Sequence, residues 1–201
     1  MNHQTLTPTA SILEWPHPTL RSPAAPVTTF DERLRDQIAM MWSTMYQAPG
    51  IGLAAPQIGD ARRIFVMDCT PRYETARRFV CINPELTELQ GVVDSNEGCL
   101  SFPGLSITVP RAAHLTLRAQ DEGGVWFEVK LKGLEAICAQ HEYDHLEGRS
   151  FLDLLSPLDQ LSALHNYAER LSEQQSVESA QIRSRLNPIL AEILEQTSTH
   201  T

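Results

Sequence analysis

The pentapeptide His-Glu-Tyr-Asp-His at residues 141–145 constrains this chain more than any other feature of its sequence. On a helix, residues four apart share one face, so His141 and His145 can both reach one metal ion with Glu142 beside it. A divalent ion at such a site lowers the pKa of a bound water toward neutrality, and the glutamate can accept the released proton. The alternative is a surface turn of helix that carries two incidental histidines.

The rest of the pattern predicts an α+β fold. Apolar residues at helical spacing predict helices at residues 31–47 with Asp31 as the cap, at 134–147 with Gly148 as the terminator, and at 157–174. Short apolar stretches predict six strands, at 63–68, 79–83, 91–96, 106–110, 113–119 and 125–131, with Gly123-Gly124 as a hairpin turn. We therefore expect short, mostly antiparallel strands packed around a central helix that carries the HEYDH sequence, with an additional C-terminal helix.

Charge and composition limit the kinds of molecule that the protein is expected to bind and the compartment in which it is expected to work. The 201 residues include 25 acids against 16 Lys and Arg, a net charge of −9, which argues against binding to DNA or to an anionic membrane. Residues 1–11 lack the features of a secretory signal, and no apolar run approaches the roughly 20 residues that cross a bilayer. We therefore expect a cytoplasmic protein. Its four cysteines form no CxxC pair, so a special one would bind metal or act in catalysis.

Spacing alone does not determine a third metal ligand. The HExxHxxGxxH class of proteases is excluded, because Phe151 stands where its third histidine would be. A second class takes a glutamate from a later helix, and Glu169 is a candidate for that role. Cys138 and His145 are separated by about 10 Å along a helix axis, which bonds of roughly 2.0–2.3 Å do not easily span. Cys99 remains, but its position in the sequence does not select it.

Three segments together resemble the signature of the peptide deformylases. They are Gly-Ile-Gly-Leu-Ala-Ala-Pro-Gln at 50–57, Glu-Gly-Cys-Leu-Ser at 97–101 and Gln-His-Glu-Tyr-Asp-His-Leu-Glu-Gly at 140–148. The likeness runs from about residue 12 to about residue 171. A dinucleotide fingerprint also fits the glycines of the first segment, but it requires a preceding strand, and here a helix is predicted. The resemblance implies a hydrolase that removes the formyl group from the N-terminal formylmethionine of nascent polypeptides and releases formate.

The resemblance also implies roles for particular residues. Three of them are expected to bind one divalent metal ion per chain, Fe²⁺ in the cell with Zn²⁺ or another divalent ion as a substitute: Cys99, His141 and His145. Glu142 is expected to act as general base and then general acid. The amide of Gln57 and the backbone N–H of Leu100 are expected to hold the developing oxyanion. The residues expected to bind the substrate, around a methionine pocket, are Gly50, Ile51, Gly52, Glu97, Gly98, Leu134, Ile137 and Cys138.

The match to the family fails in three places, one of which is Pro49, where some relatives have an acid. Ser106 stands where many relatives carry an arginine that helps to bind the substrate backbone, which puts the contacts beyond the first substrate residue in doubt. Some bacterial members dock on the ribosome with a basic tail, whereas the C-terminal region here is acidic, so docking by charge is not expected. Residues 1–171 are expected to form the catalytic domain, and 172–201 a polar extension that is partly helical or flexible.

Two other functions remain open at this level. One is a metalloprotease that uses Glu169 as its third ligand. The other is a deformylase-like protein that binds peptide N-termini without turnover. The position of Cys99 relative to the two histidines separates the first from a deformylase, and an assay of turnover separates the second.

Overall fold

The structure is a computed structural model, and it describes residues 8–70, 76–173 and 176–198. The strands within these residues are β1 (Gly52–Ala54), β2 (Ile64–Asp68), β3 (Arg78–Cys99), β4 (Phe102–Gln120) and β5 (Trp126–Lys132). The α-helices are α1 (Glu32–Gln47), α2 (Leu134–Leu146), α3 (Pro157–Glu173) and α4 (Val177–Ser198). The predicted α+β class is confirmed.

The strands form one antiparallel sheet in the order β1-β2-β3-β4-β5. Strands β3 and β4 are longer than the separate stretches predicted from the sequence, because each unites two of them. Register shifts between Ile82 and Glu85 and between Thr87 and Gln90 allow β3 to bend without ending, as β-bulges do. The two long strands carry the chain from one edge of the fold to the turn that holds Cys99.

Helices α1 and α2 pack on opposite faces of the sheet at β2. Side chains alternate along a strand, so Ile64 and Val66 lie in a cluster with α1, whereas Phe65 and Met67 lie in a cluster with α2. Burial on both faces explains why β2 is apolar without alternation. Helix α1 begins as predicted, since the Asp31 carboxylate accepts a 3.0 Å hydrogen bond from the Leu34 N–H.

Helix α2 is buried around much of its circumference, although it is rich in polar residues. Its buried polar side chains are Gln140, Glu142, Asp144 and His145. Such groups need partners, and Gln140 has them, because its amide bonds the backbone N–H and C=O of Ala112 at 2.9 Å each. Gly148 follows the helix with φ +69°, and a Cβ there would lie 2.7 Å from the backbone of Ser22. A glycine is therefore required for this helix end to pack.

The C-terminal helices α3 and α4 pack against an aromatic cluster beside β4. Tyr167 and Leu171 of α3 and Leu186 of α4 are buried together with Phe102. Within the segment expected to be a polar extension, Ile193 of α4 is buried in the same cluster. The domain boundary at residue 171 stays a prediction, and this cluster has members on both sides of it. None of the helices in the described residues has the length and apolarity needed to cross a membrane.

Candidate metal centre

A cysteine from the end of β3 meets two histidines of α2 in the structure. The ligand atoms of Cys99, His141 and His145 all lie within 4.8 Å of one another, and Cys99 Sγ is 3.3 Å from His145 Nε2. Metal bonds of 2.0–2.3 Å in tetrahedral geometry place ligand atoms roughly 3.3–3.8 Å apart. The three side chains therefore fit a metal ion with small adjustments. One thiolate with two imidazoles suits a transition metal such as iron or zinc.

An ion network that the sequence analysis missed surrounds His141. Arg111 of β4 donates to both carboxylate oxygens of Glu97, at 2.8 and 3.0 Å, and to Asp144 of α2 at 2.6 Å. The side chains of Arg111 and Glu97 are 4% and 5% exposed. Nothing in the local sequence marks Arg111, because its partners become neighbours only when β3, β4 and α2 assemble. The network ties the metal-ligand helix to the sheet through charge-assisted hydrogen bonds.

Glu97 determines which ring nitrogen of His141 faces the metal position. Glu97 Oε2 lies 2.8 Å from His141 Nδ1. Burial raises the pKa of Glu97, but the hydrogen bonds from His141 and Arg111 outweigh it and lower the pKa to about 2. The ionised carboxylate can only accept, so His141 Nδ1 carries the proton and Nε2 is free for a metal. A carboxylate partner of this kind orients a metal-binding histidine and raises its basicity.

Glu142 is buried beside the metal ligands without a hydrogen-bond partner on Oε2 among the described residues. Burial raises the pKa of its carboxyl group to about 7. A carboxyl group with such a pKa can accept and return a proton near neutral pH. His145 is also buried, and burial lowers the pKa of its imidazole, which favours the neutral form that binds metal.

Gln57 points the donor end of its amide toward the same position. Its Oε1 accepts a 2.8 Å hydrogen bond from the Ala54 N–H, so its NH₂ group faces the opposite way. That group lies 3.2 Å from Ser101 Oγ and 3.7 Å from Cys99 Sγ. The orientation of the amide is thus determined by the backbone of the Gly-Ile-Gly-Leu-Ala-Ala-Pro-Gln segment, and an N–H donor is held beside the metal position.

A pocket of about 450 Å³ opens beside these groups. All the residues that the family resemblance assigned to catalysis and substrate binding line it, and so do the expected metal ligands Cys99 and His141. These residues are Gly50, Ile51, Gly52, Gln57, Glu97, Gly98, Cys99, Leu100, Leu134, Ile137, Cys138, His141 and Glu142. The third expected ligand, His145, is not among the lining residues. The structure therefore brings the predicted site residues together, and it adds Pro49, Ser95, Asn96, Phe102 and the segment 104–106 to the lining. Leu134 and Ile137 line this pocket on the exposed side of α2.

The alternative third ligands lie elsewhere. Glu169 is 68% exposed on α3 and faces His165 of the same helix at 3.4 Å. Cys138 is buried and directs its Sγ toward the Ile51 carbonyl at 3.7 Å. Neither belongs to the Cys99–His141–His145 group of the described residues. A protease site with Glu169 as ligand is therefore inconsistent with this fold.

The resemblance assigns proton transfer to Glu142, so we expect the substitution Gly52→Ala to reduce the rate of deformylation by about 10²-fold, because displacing a catalytic group by 1 Å has an effect of this order. A Cβ on Gly52 would overlap Glu142 Oε1 and lie 2.8 Å from Cys138 Sγ. Initial rates and the midpoint of thermal unfolding should be measured together. Gly123→Ala, in the distant hairpin turn where a Cβ meets only Asp121 Oδ1 at 3.3 Å, is the matched control. Wild-type activity in Gly52→Ala would show that the backbone does not restrain Glu142.

Comparison with known proteins gives matches that cover most of the chain and agree on one family. The family described as polypeptide deformylase matches residues 9–161. The peptide deformylase of Hahella chejuensis is 47% identical over 146 residues, 72% of this chain and 86% of that protein. The crystal structure of a peptide deformylase from Legionella pneumophila superposes with a TM-score of 0.77 at 42% identity, covering 84% of this chain and 100% of that one. A Met-Ala-Ser-bound class I type b peptide deformylase from Acinetobacter baumannii gives a TM-score of 0.69 at 29% identity, over 74% of this chain and 99% of that one.

Proposed function

Because the chain belongs to the peptide deformylase family, we propose that its reaction takes place at the Cys99–His141–His145 site with Glu142 as the proton carrier. The protein is a metal-dependent hydrolase that removes the formyl group from the N-terminal formylmethionine of nascent polypeptides. The observation that carries the assignment of the site is the convergence of one thiol and two imidazoles beside a buried glutamate.

Cys99, His141 and His145 would hold one divalent ion. When bound, the ion polarises the formyl carbonyl and makes water acidic enough to react near neutral pH. The family resemblance favours Fe²⁺ as the ion in the cell. Zn²⁺ or another divalent ion could replace it, since thiolate and imidazole ligands suit both metals. The ionised Glu97 supports this set by holding the proton of His141 on Nδ1, 2.8 Å away.

Glu142 would take a proton from the attacking water and return it to the leaving amine. Its buried position raises the pKa of the carboxyl group to about 7, close to the value at which a group both accepts and donates efficiently. The unpartnered Oε2 leaves one oxygen available for that proton. The products are formate and a peptide with a free methionine N-terminus.

Gln57 and Leu100 would stabilise the negative charge that develops on the formyl oxygen. The Gln57 amide is held by the Ala54 N–H at 2.8 Å, so its NH₂ group is aimed without any reorganisation. Leu100 follows Cys99 in the turn between β3 and β4, and it lines the pocket. Donors that are fixed in advance stabilise a transition state better than donors that must first turn.

The substrate side chain would occupy the apolar part of the pocket. Ile51, Leu134, Ile137 and Cys138 supply apolar surface there, which suits an unbranched thioether. Gly50, Gly52 and Gly98 leave room for a peptide backbone to lie close to the wall.

The acidic balance of the chain, with a net charge of −9, fits a cytoplasmic enzyme that binds neither DNA nor the ribosome by charge.

Turnover of formyl-Met-Ala-Ser tests the function and the site together. We expect the anaerobically prepared wild-type protein to hold one metal ion and to release free amine, and Cys99→Ala to lose both properties. Metal content should be measured by elemental analysis and the amine by derivatisation. Cys81→Ala, a change at a buried cysteine outside the site, is the control for removing a thiol. A Cys99→Ala protein that keeps metal and activity would contradict the proposed ligand set.

A further inference from the structure

The wall of the pocket at residues 104–106 is in contact with the C-terminal helix α3. Arg170 of α3 donates a hydrogen bond from Nη1 to the Gly104 carbonyl. A Cβ on Gly104 would lie 2.8 Å from that nitrogen, at the flexible end of the arginine side chain, and Gly104 has φ +73°, a conformation that favours glycine. Gly104, Leu105 and Ser106 all line the pocket. Helix α3 thus places a guanidinium against the outer side of a residue that lines the pocket.

The charged groups that line the pocket are otherwise of one sign. Its lining includes the carboxylates of Glu97 and Glu142, and none of its lining residues is a lysine or an arginine. A formylated peptide continues beyond its methionine with a carbonyl at every residue, and these oxygens need donors. The exposed Ser106, which pairs with Gly98 across β3 and β4, offers only a short hydroxyl.

Arg170 has donors to spare. A guanidinium carries several N–H groups in a fixed fork, and the bond to Gly104 is the one found for Arg170 within the described residues. The side chain is exposed, and the neighbouring carboxylate of Glu169 faces His165 instead. No carboxylate of the described residues forms an ion pair with Arg170. Arg170 does not itself line the pocket, but it binds Gly104, which does, so its remaining N–H groups lie directly behind the pocket wall.

We infer that Arg170 is a substrate-positioning residue, which donates hydrogen bonds to backbone carbonyls of the peptide beyond the formylmethionine. The inference rests on the deformylase function and extends it to a residue outside the three sequence motifs. It gives helix α3 a part in substrate binding, because the guanidinium is bound to a carbonyl of the pocket wall through one nitrogen and has further N–H groups left to donate. Arg170 therefore affects how tightly the peptide residues after the formylmethionine are bound, and it does not affect the chemistry at the formyl group.

The test compares short and long substrates. Rates are measured with formyl-Met amide and formyl-Met-Ala-Ser amide for the wild type, Arg170→Ala and Arg170→Lys. We expect Arg170→Ala to raise KM for the longer substrate by about fivefold to tenfold, as for the loss of one charge-assisted hydrogen bond at an exposed site. Its kcat, and both constants for formyl-Met amide, should remain at the wild-type values. Arg170→Lys should retain part of the binding, since it keeps the charge but loses the fork.

Three further proteins and one further substrate sharpen the result. Arg35→Ala removes an exposed charge from α1 that pairs with Glu32, and it should leave both substrates unaffected. Ser106→Arg in the Arg170→Ala background places a guanidinium on the pocket wall and should lower KM for the longer substrate again, whereas Ser106→Ala in that background should not. Formyl-Met-Ala-Ser with a free carboxylate should show the same dependence on Arg170 as its amide.

Several outcomes would overturn the inference. Equal losses on both amides would show that Arg170 only maintains the pocket wall, and no loss on either would show that it does not contact the substrate. A loss confined to the free-carboxylate peptide would assign Arg170 to a terminal carboxylate instead of backbone carbonyls. Failure of the metal-loaded wild type to turn over either amide would contradict the proposed function itself, which is a different result from any of these.

Discussion

Glu142→Gln will lose deformylation by about 10²–10⁴-fold, the range that general acid–base catalysis contributes. The variant should keep its metal and its fold, because the new side chain has the same shape and Glu142 is not one of the three ligands. Its free energy of unfolding should be equal or higher. Burial raises the pKa of Glu142 to about 7, which means that the folded protein disfavours the charged form, and a neutral amide removes that penalty.

The experiment for this variant needs rate, metal content and stability on the same preparation. Glu135→Gln makes the same chemical change on the same helix, at a residue that pairs with Arg77 at 2.6 Å outside the pocket, and should retain wild-type turnover. Substantial turnover by Glu142→Gln would remove Glu142 from the reaction. Loss of metal together with activity would show that Glu142 supports the ion instead of moving a proton.

Arg111→Met will destabilise the protein by about 3–5 kcal/mol, the typical effect of removing one partner from a buried ion network. The substitution fills similar space but removes the arginine shared by Glu97 and Asp144, whose side chains are 5% and 10% exposed. Asp144 then retains only the longer contact with the half-exposed Arg149 at 3.4 Å. We also expect weaker metal binding by about 10–100-fold, as for other losses of a group that orients a metal ligand. The reason is that Glu97 holds His141 and is itself held by Arg111.

Arg118→Met on the same strand is the matched control. Arg118 pairs with Glu85 at 2.9 Å, but both side chains are about half exposed, at 43% and 52%, so its loss should change stability by less than about 1 kcal/mol. Chemical denaturation of metal-free protein and a metal competition titration measure the two effects separately. If Arg111→Met matched the control in both measurements, the network would have no role in holding the ligand helix to the sheet.

The helices were predictable from the sequence, but the extent of the long strands was not. Helices α1, α2 and α3 follow the predicted stretches closely, because helical spacing and local signals such as Asp31 and Gly148 are short-range properties. Strands β3 and β4 continue through residues that look like breaks, and Asn83 and Glu88 adopt φ of +50° inside β3. Pairing between the two long strands stabilises these local departures, and pairing is not visible in one strand alone. Helix α4 depends in the same way on its packing against α3.

The site residues differ in the same way: those placed by local helix spacing were predictable, and those placed by long-range contacts were not. The two histidines and Glu142 are predictable, because their geometry follows from spacing on one helix. Cys99 was reached only through the family resemblance, since its approach to α2 depends on the register of β3 and β4. Arg111 was not found at all: its partners lie 14 and 33 residues away along the chain. Arg170 was missed for the same reason, because its contact with Gly104 spans 66 residues.

The aromatic cluster beneath the Cys99 turn links the metal thiol to the C-terminal helices. Cys99 packs against the cluster that contains Phe102, Tyr167 and Leu186, and the rings of Phe102 and Tyr167 lie 5.5 Å apart. Opening of α3 and α4 would therefore loosen the turn on which the thiol is mounted. Local opening has its own free energy, below that of global unfolding. We therefore expect the exposure of the Cys99 sulfur to oxidants to depend partly on how tightly α3 and α4 stay packed.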